Sequence, residues 1–253
     1  MKNLKMKLVA SLAALLFMGV TNAQNTKQLY TIHLDHVKPS KTLAYEALSK
    51  ELVAKCKQHK METGWLTLVT DDFDYFYITP IKNMAELDAD PFASLSKKMG
   101  ADELGKMFSK MDPFYDDHVD YTIALDKELS YMPSGITQTP AGQPYRKNTL
   151  YYVAPENYKA AEQLAKDFKA LYTKVGSKVN YRVYRSSFGA DGTYFMVAIA
   201  AASPAAYETA TAANNQLLGA KGQELYGRLM SLISKRKIVS GWIRPDLSYT
   251  PGK

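Results

Sequence analysis

The chain repeats itself once, at a nearly constant offset. Leu129-Ser130-Tyr131-Met132-Pro133 returns 118 residues later as Leu247-Ser248-Tyr249-Thr250-Pro251. Gly105-Lys106-Met107-Phe108-Ser109 returns as Gly227-Arg228-Leu229-Met230-Ser231, at an offset of 122. Leu29-Tyr30 matches Leu150-Tyr151 at 121, and Tyr75-Phe76 matches Tyr194-Phe195 at 119. Four matches in one order, at offsets that barely drift, describe one duplication of a unit of roughly 110 residues, not a solenoid. The Leu-Ser-Tyr-x-Pro string reads as a strand exit that anchors each copy. The Gly-[Lys/Arg]-apolar-apolar-Ser string reads as a helix-packing feature whose glycine permits close approach.

Each copy carries the same order of elements. In the first, residues 29–37 alternate as a strand, and Ser40 can cap a helix reaching His59. Residues 65–70 and 74–79 form a hairpin around Asp71-Asp72. Asn83-Met84-Ala85-Glu86 resembles a capping box opening a second helical region, interrupted at Pro91 and Gly100. Residues 118–125 form the last strand. In the second copy, residues 149–153 are a strand and Asn157 can cap a helix with an Ala161, Leu164, Phe168, Leu171 and Val175 stripe. Residues 179–185 and 193–200 flank a turn at Phe188-Gly189-Ala190-Asp191-Gly192. Ser203-Pro204 opens a helical region reaching Arg236, and residues 238–244 close the copy.

A β-α-β-β-α-β order is the split β-α-β unit of ferredoxin-like domains. Its antiparallel sheet carries both helices on one face, so the other face must be covered. The expected class is α+β, with two tandem units whose sheets pack into one barrel-like body. The chain resembles the dimeric α+β barrel superfamily in a fused two-repeat form, over residues 29–249. Such proteins include small-molecule monooxygenases, haem-binding and haem-degrading enzymes, isomerases and proteins without known activity. The fold therefore does not settle the function. The expected division is a secretory signal at 1–23, a first repeat at 24–132, a linker at 133–146 and a second repeat at 147–253.

Strand parity then assigns faces. Taking the more apolar set of each first-copy strand toward the helices, Tyr30, Ile32, Leu34, Val119, Tyr121 and Ile123 face them. His33, Asp35, His118 and Asp120 are left on the inter-sheet face. With Tyr75, Tyr77, Arg182 and Tyr184 they make a polar, tyrosine-rich lining between the sheets, suited to an aromatic or polar small molecule. His33, His118 and Asp120 are the candidate catalytic residues, since a carboxylate fixes a histidine's tautomer and raises its basicity. Asp35, Tyr75, Tyr77, Arg182 and Tyr184 are the candidate ligand-binding residues, Arg182 as an anion anchor. Cofactor-independent monooxygenase or isomerase chemistry is what the resemblance implies. The rival reading is a non-catalytic envelope or interaction protein that self-associates.

No cofactor is expected. Fused barrels similar to chlorite dismutase carry a haem histidine in their C-terminal repeat. All four histidines here, His33, His36, His59 and His118, lie in the first copy. That departure argues against the same haem ligation, leaving a tyrosine or a first-copy histidine as the alternative ligand. No metal is expected either: His33 and His36 point to opposite faces of one strand and cannot grip one ion. The single Cys56 falls on a helix's apolar stripe as a small hydrophobe.

Lys2, Lys5 and Lys7, the uncharged run 8–20 and Thr21-Asn22-Ala23 form a secretory signal cleaved before Gln24. The expected destination is the periplasm or beyond it, with no membrane span in the mature chain. Residues 24–135 hold 13 Lys, no Arg and 18 acidic residues, while 136–253 hold 16 basic and 7 acidic residues. Complementary halves favour docking on each other or homo-oligomers. The sole dense basic run, Lys235-Arg236-Lys237, does not make a nucleic-acid binder.

Overall fold

A computed structural model describes residues 26–252; the signal segment lies outside the described residues. Eight strands form a closed antiparallel barrel in the order β1-β3-β2-β8-β5-β7-β6-β4. The first repeat supplies β1 (Lys27–Val37), β2 (Leu66–Thr70), β3 (Asp74–Ile81) and β4 (Tyr115–Tyr131). The second supplies β5 (Tyr145–Val153), β6 (Tyr181–Ser186), β7 (Tyr194–Ala201) and β8 (Ile233–Ile243). Helices α1 (Thr42–Gln58), α2 (Ala93–Met99) and α3 (Ala101–Met111) belong to the first repeat. Helices α4 (Tyr158–Val175) and α5 (Pro204–Leu232) belong to the second. Each repeat thus has the ferredoxin-like strand order, and the two sheets close on each other through β2–β8 and β4–β6.

The breaks between helices recur with the duplication. Gly100 separates α2 from α3 at φ 102°, and Gly219 breaks α5 at φ 56°. Both conformations suit a residue without Cβ. The N-cap at Ser203 forms as the sequence indicates, its Oγ accepting from the Ala206 N–H at 3.1 Å. Ser40 and Asn157 do not cap. Ser40 sits in a tight turn before α1, and Asn157 Nδ2 instead donates to the Leu232 carbonyl at 3.2 Å. Asn83 caps, its Oδ1 accepting from the Ala85 N–H, but Glu86 takes the Lys82 N–H instead of closing the box, and only a short 3₁₀ turn (Met84–Asp88) follows. Strand β4 is more than twice the expected length because it serves both sheets. It pairs with β1 as far as Asp126 and with β6 from Ile123, so residues 123–126 are flanked on both sides, and past an irregularity after Asp126 it meets β6 again at Tyr131.

The repeated Leu-Ser-Tyr string is a crossed clasp between repeats. Leu129 and Tyr131, at the end of the first repeat, are buried beneath α4 with Ala161, Tyr181 and Phe195. Tyr249, at the end of the second, is buried in the first repeat's helix layer with Met61, Trp65 and Leu95. Ser130 Oγ donates to the Asp126 carbonyl at 2.6 Å and accepts from the Val183 N–H at 2.9 Å. Ser248 Oγ donates to the Arg244 carbonyl at 2.7 Å and accepts from the Thr67 N–H at 2.9 Å. The two tyrosine hydroxyls donate to the Ser177 and Met61 carbonyls in the opposite repeat. The other repeated string makes no close approach: a Cβ at Gly105 or Gly227 would meet nothing within 4 Å. Cys56 is buried, and burial pushes its thiol up to about 12, as suits a packing residue.

The faces of the first repeat are the reverse of the parity expectation. Tyr30, Ile32 and Ile123 lie in the barrel interior, in one cluster with Leu150, Tyr184 and Tyr194 of the second repeat. Tyr75 and Tyr77 lie instead under the first repeat's helices. The strands close the barrel laterally, so its interior takes the more apolar set. The helix side of β1 is covered only partly and tolerates His33 and its carboxylates. In the second repeat Tyr184 points into the barrel, as expected, while Val183 and Phe195 pack under α4.

A carboxylate–guanidinium pair also bridges the repeats. Arg244, just past β8, holds Glu46 of α1 with both nitrogens, at 2.6 and 2.7 Å, and it also holds Asp246. Arg244 therefore keeps the Glu46 and Asp246 carboxyls below their usual range. A depressed carboxyl stabilises the fold above its unfolded pKa and loses that contribution as pH falls through the folded value. In thermal melts the wild type is expected to lose Tm progressively from about pH 4 downward. Arg244→Gln lowers Tm at pH 7, and its deficit should shrink toward pH 2. A deficit that stays constant with pH would mean the pair is not the source.

Candidate functional site

The second repeat encloses a cavity of about 680 Å³ between its sheet and helices α4 and α5. Local sequence explains the space. Small Ala161 and Ala165 face it from α4, and the Gly219 break lets α5 bend over the sheet. The floor is apolar: Val153, Val183, Phe195, Val197 and Ile199. Polar groups enter at defined points from Tyr151, Tyr172, Tyr207, Tyr226 and Arg236. Tyr172 OH accepts from Asn214 Nδ2 at 3.0 Å, and Arg236 Nη1 donates to Tyr226 OH at 3.2 Å. Burial, aided by neighbouring Tyr226, pushes the Tyr151 hydroxyl up to about 12; burial raises Tyr172 as well. These phenols are neutral donors in an apolar chamber, an arrangement that orients a flat ligand carrying a few oxygens.

The equivalent space in the first repeat is filled. Tyr45, Tyr75, Tyr77, Trp65, Phe92 and Phe108 stack edge to face there, at centroid distances from 4.9 to 6.4 Å. One polar cluster remains at its margin. On β1, His33 pairs across with Tyr77 and Asp120, and Asp35 with Tyr75 and His118, so all six share one face. His33 Nδ1 lies 2.9 Å from Asp120 Oδ1, and His33 Nε2 lies 3.0 Å from Asp35 Oδ1. Asp35 is buried, and its Oδ2 accepts from the Tyr45 hydroxyl, which also meets Tyr77 OH at 2.8 Å. Burial would lower the His33 pKa; the Asp35 and Asp120 carboxylates outweigh it and raise it to about 9.

The structure thus brings His33, Asp35, Tyr77, His118 and Asp120 together, with Tyr75 behind them, but outside the barrel. Arg182 and Tyr184 lie elsewhere, inside one barrel end. Arg182 Nη1 donates to the Thr137 and Gln138 carbonyls at 2.9 and 2.8 Å, and Tyr184 OH donates to Gln138 Oε1. Arg146 donates to the same Gln138 carbonyl at 2.7 Å, and Gln138 Nε2 donates to Tyr30 OH. The linker therefore enters the space between the sheets, and Arg182 Nη1 is engaged on it. His36 turns away from His33 to Asp74, at 2.6 Å, as two neighbours of opposite parity must. Tyr151, Tyr172, Tyr207, Tyr226, Arg236 and Tyr45 escaped the sequence reading. The α4 stripe with its alanines and the break at Gly219 were the signals that pointed to them.

No family model matches the sequence, and no curated protein matches it. Solved structures do match its fold. An anthrone oxidase-like protein superposes with a TM-score of 0.60 at 12% identity, over 89% of this chain and 94% of that one. A Fusobacterium nucleatum subsp. nucleatum protein named "Putative monooxygenase" gives 0.55 at 10% identity, over 85% and 92%. A protein named "Putative Chlorite dismutase" gives 0.52 at 14%, over 87% and 96%. The chain thus has the dimeric α+β barrel architecture in its fused form. A haem in the second-repeat cavity would need an axial donor. The lining offers no His, Cys or Met, which leaves only its tyrosines as axial donors of the kind haem proteins use.

Proposed function

We propose that this protein is exported and binds a flat, largely apolar aromatic molecule in the second-repeat cavity, where it carries out cofactor-independent monooxygenase-type oxidation. The observation that carries the reading is the cavity itself: apolar walls, phenolic hydroxyls at fixed points and two cationic side chains, Lys147 and Arg236, in its lining. In such a step the substrate is its own reductant: a ring CH2 gives up its two hydrogens, one atom of dioxygen becomes the new carbonyl oxygen and the other leaves with those hydrogens as water, while the phenols donate to the enolate oxygen that develops on the way. The fold supports the reading only as architecture. The charged, half-exposed cluster around His33 is set apart from this chamber and is not needed for it.

The test uses anthrone, a tricyclic aromatic ketone, as the probe. Native mass spectrometry of the purified mature chain is expected to show either a co-purified ligand or a one-to-one anthrone adduct, and an oxygen electrode to show uptake with it. Ala165→Trp fills the chamber from α4. That variant is expected to keep its Tm within a few degrees and lose binding at least tenfold. Equal anthrone binding by Ala165→Trp would move the ligand out of this cavity. No adduct with any of a panel of bicyclic and tricyclic phenols would overturn the reading.

A further inference from the structure

We propose that His33, Asp35 and His118 form a binding site for a divalent first-row transition metal, in the first repeat and independent of the aromatic chamber. Their donor atoms all lie within 4.8 Å of one another. The backbone dictates the grouping: His33 and Asp35 are two apart on β1, and His118 stands directly opposite Asp35 on β4. Three ligands therefore come from two hydrogen-bonded strands, which fixes their spacing without help from a loop.

Each ligand is prepared in the way metal ligands are. His33 turns Nδ1 to the Asp120 carboxylate at 2.9 Å and Nε2 toward Asp35 Oδ1 at 3.0 Å, so an ion seated between Nε2 and Oδ1 takes the place of the Nε2 proton. Asp120 is then the outer carboxylate that orients most metal-bound histidines. Asp35 gives Oδ2 to the Tyr45 hydroxyl. Its Oδ1 is buried and has no hydrogen-bond donor, because the His33 Nε2 approach at 3.0 Å is poorly aligned for one. A buried carboxylate oxygen without a donor is costly, and a cation would satisfy it. Two donors 3.0 Å apart, each about 2.1 Å from one ion, subtend roughly 90° at it, the angle of neighbouring positions in an octahedron. His118 is exposed and completes one face from the solvent side. Two histidines and one carboxylate on one face leave the remaining positions open to water or a small ligand. Nitrogen and oxygen donors without sulfur favour Fe(II), Co(II), Ni(II) or Zn(II) over softer ions.

Isothermal titration of the metal-free mature protein with Zn²⁺, and its Co²⁺ absorption spectrum, test the site. The expected result is one equivalent bound, with a Co²⁺ d–d spectrum free of thiolate charge-transfer bands, which excludes Cys56. His118→Ala removes an exposed ligand and should weaken Zn²⁺ at least tenfold with no loss of Tm. Asp120→Asn, which alters only the outer partner, should weaken it by about 10-fold. His36→Ala, on the opposite face, should bind as wild type. Failure to reach one saturable equivalent, or equal affinity in His118→Ala, would overturn the site. Anthrone binding in the other repeat should be unaffected by His118→Ala, so the two readings fail separately.

Discussion

Gly241→Ala is expected to be among the most damaging single-methyl changes in the molecule. Gly241 lies on β8 opposite Thr70, at one of three paired positions that close the barrel between β2 and β8. A Cβ there would sit 2.2 Å from the Val69 carbonyl oxygen, 2.8 Å from its carbon and 3.0 Å from Thr70 Cα. All three atoms are backbone, so no rotamer change relieves the clash, and the seam itself must open. Overpacking a well-filled site costs about 1–3 kcal/mol and more where nothing can move. We expect at least 3 kcal/mol, which in a chain of this size lowers Tm by roughly 6–12 °C. Gly227→Ala is the matched control. No atom lies within 4 Å of its added Cβ, and it sits within α5, so alanine should be neutral or stabilise by up to about 1 kcal/mol. Calorimetric melts of both variants decide the matter; a Gly241→Ala midpoint within 1 °C of wild type would refute the seam argument.

The same glycine shows why the fold was easier to read from sequence than the site. The duplication and the element order needed only local periodicity and matching strings, and both the double split β-α-β unit and the barrel follow from them. Which side of a strand meets the helices is not a local property. Tyr30, Ile32 and Ile123 are as apolar as a helix-facing set should be, yet the barrel interior claims them because eight strands close around it. In the second repeat the assignment on β6 succeeded, since Val183 prefers the helix side and leaves Tyr184 to the barrel. The grouping of His33 and Asp35 with His118 and Asp120 survived the reversal, since residues on one face move together. Its grouping with Arg182 did not, because the linker occupies the barrel end and Gln138 gives nothing away in sequence. The chamber under α5 depends on what is missing, small side chains and a broken helix, and a scan for reactive residues passes over absences.

The second seam should be more sensitive to charge than to volume. Asp126 on β4 is 2% exposed, and Arg185 on β6 holds its Oδ2 through Nε at 2.8 Å and Nη2 at 2.7 Å. Arg185 also donates to Tyr158 OH at 2.7 Å and Glu162 Oε2 at 3.0 Å, and lies 5.2 Å from the Phe195 ring centroid. The other oxygen of Asp126 accepts from the Glu128 and Leu129 N–H groups, at 3.0 and 3.1 Å, and so shapes the irregularity where β4 parts from β1. Arg185→Met keeps most of the packing but strands a buried carboxylate, which costs about 3–5 kcal/mol and a Tm drop of roughly 6–20 °C. Asp126→Asn keeps the carbonyl that holds the turn and removes the charge. The double variant should therefore be less destabilised than the two single losses added together, by about 1–3 kcal/mol. Urea unfolding of the four proteins measures that coupling. Strict additivity would place the loss in packing against Tyr158 and Phe195, whereas the expected coupling identifies a charge pair that fixes where β4 parts from β1 and runs on beside β6 alone. With that point lost, Leu129 and Tyr131 no longer reach their places beneath α4, and the floor of the aromatic chamber goes with them.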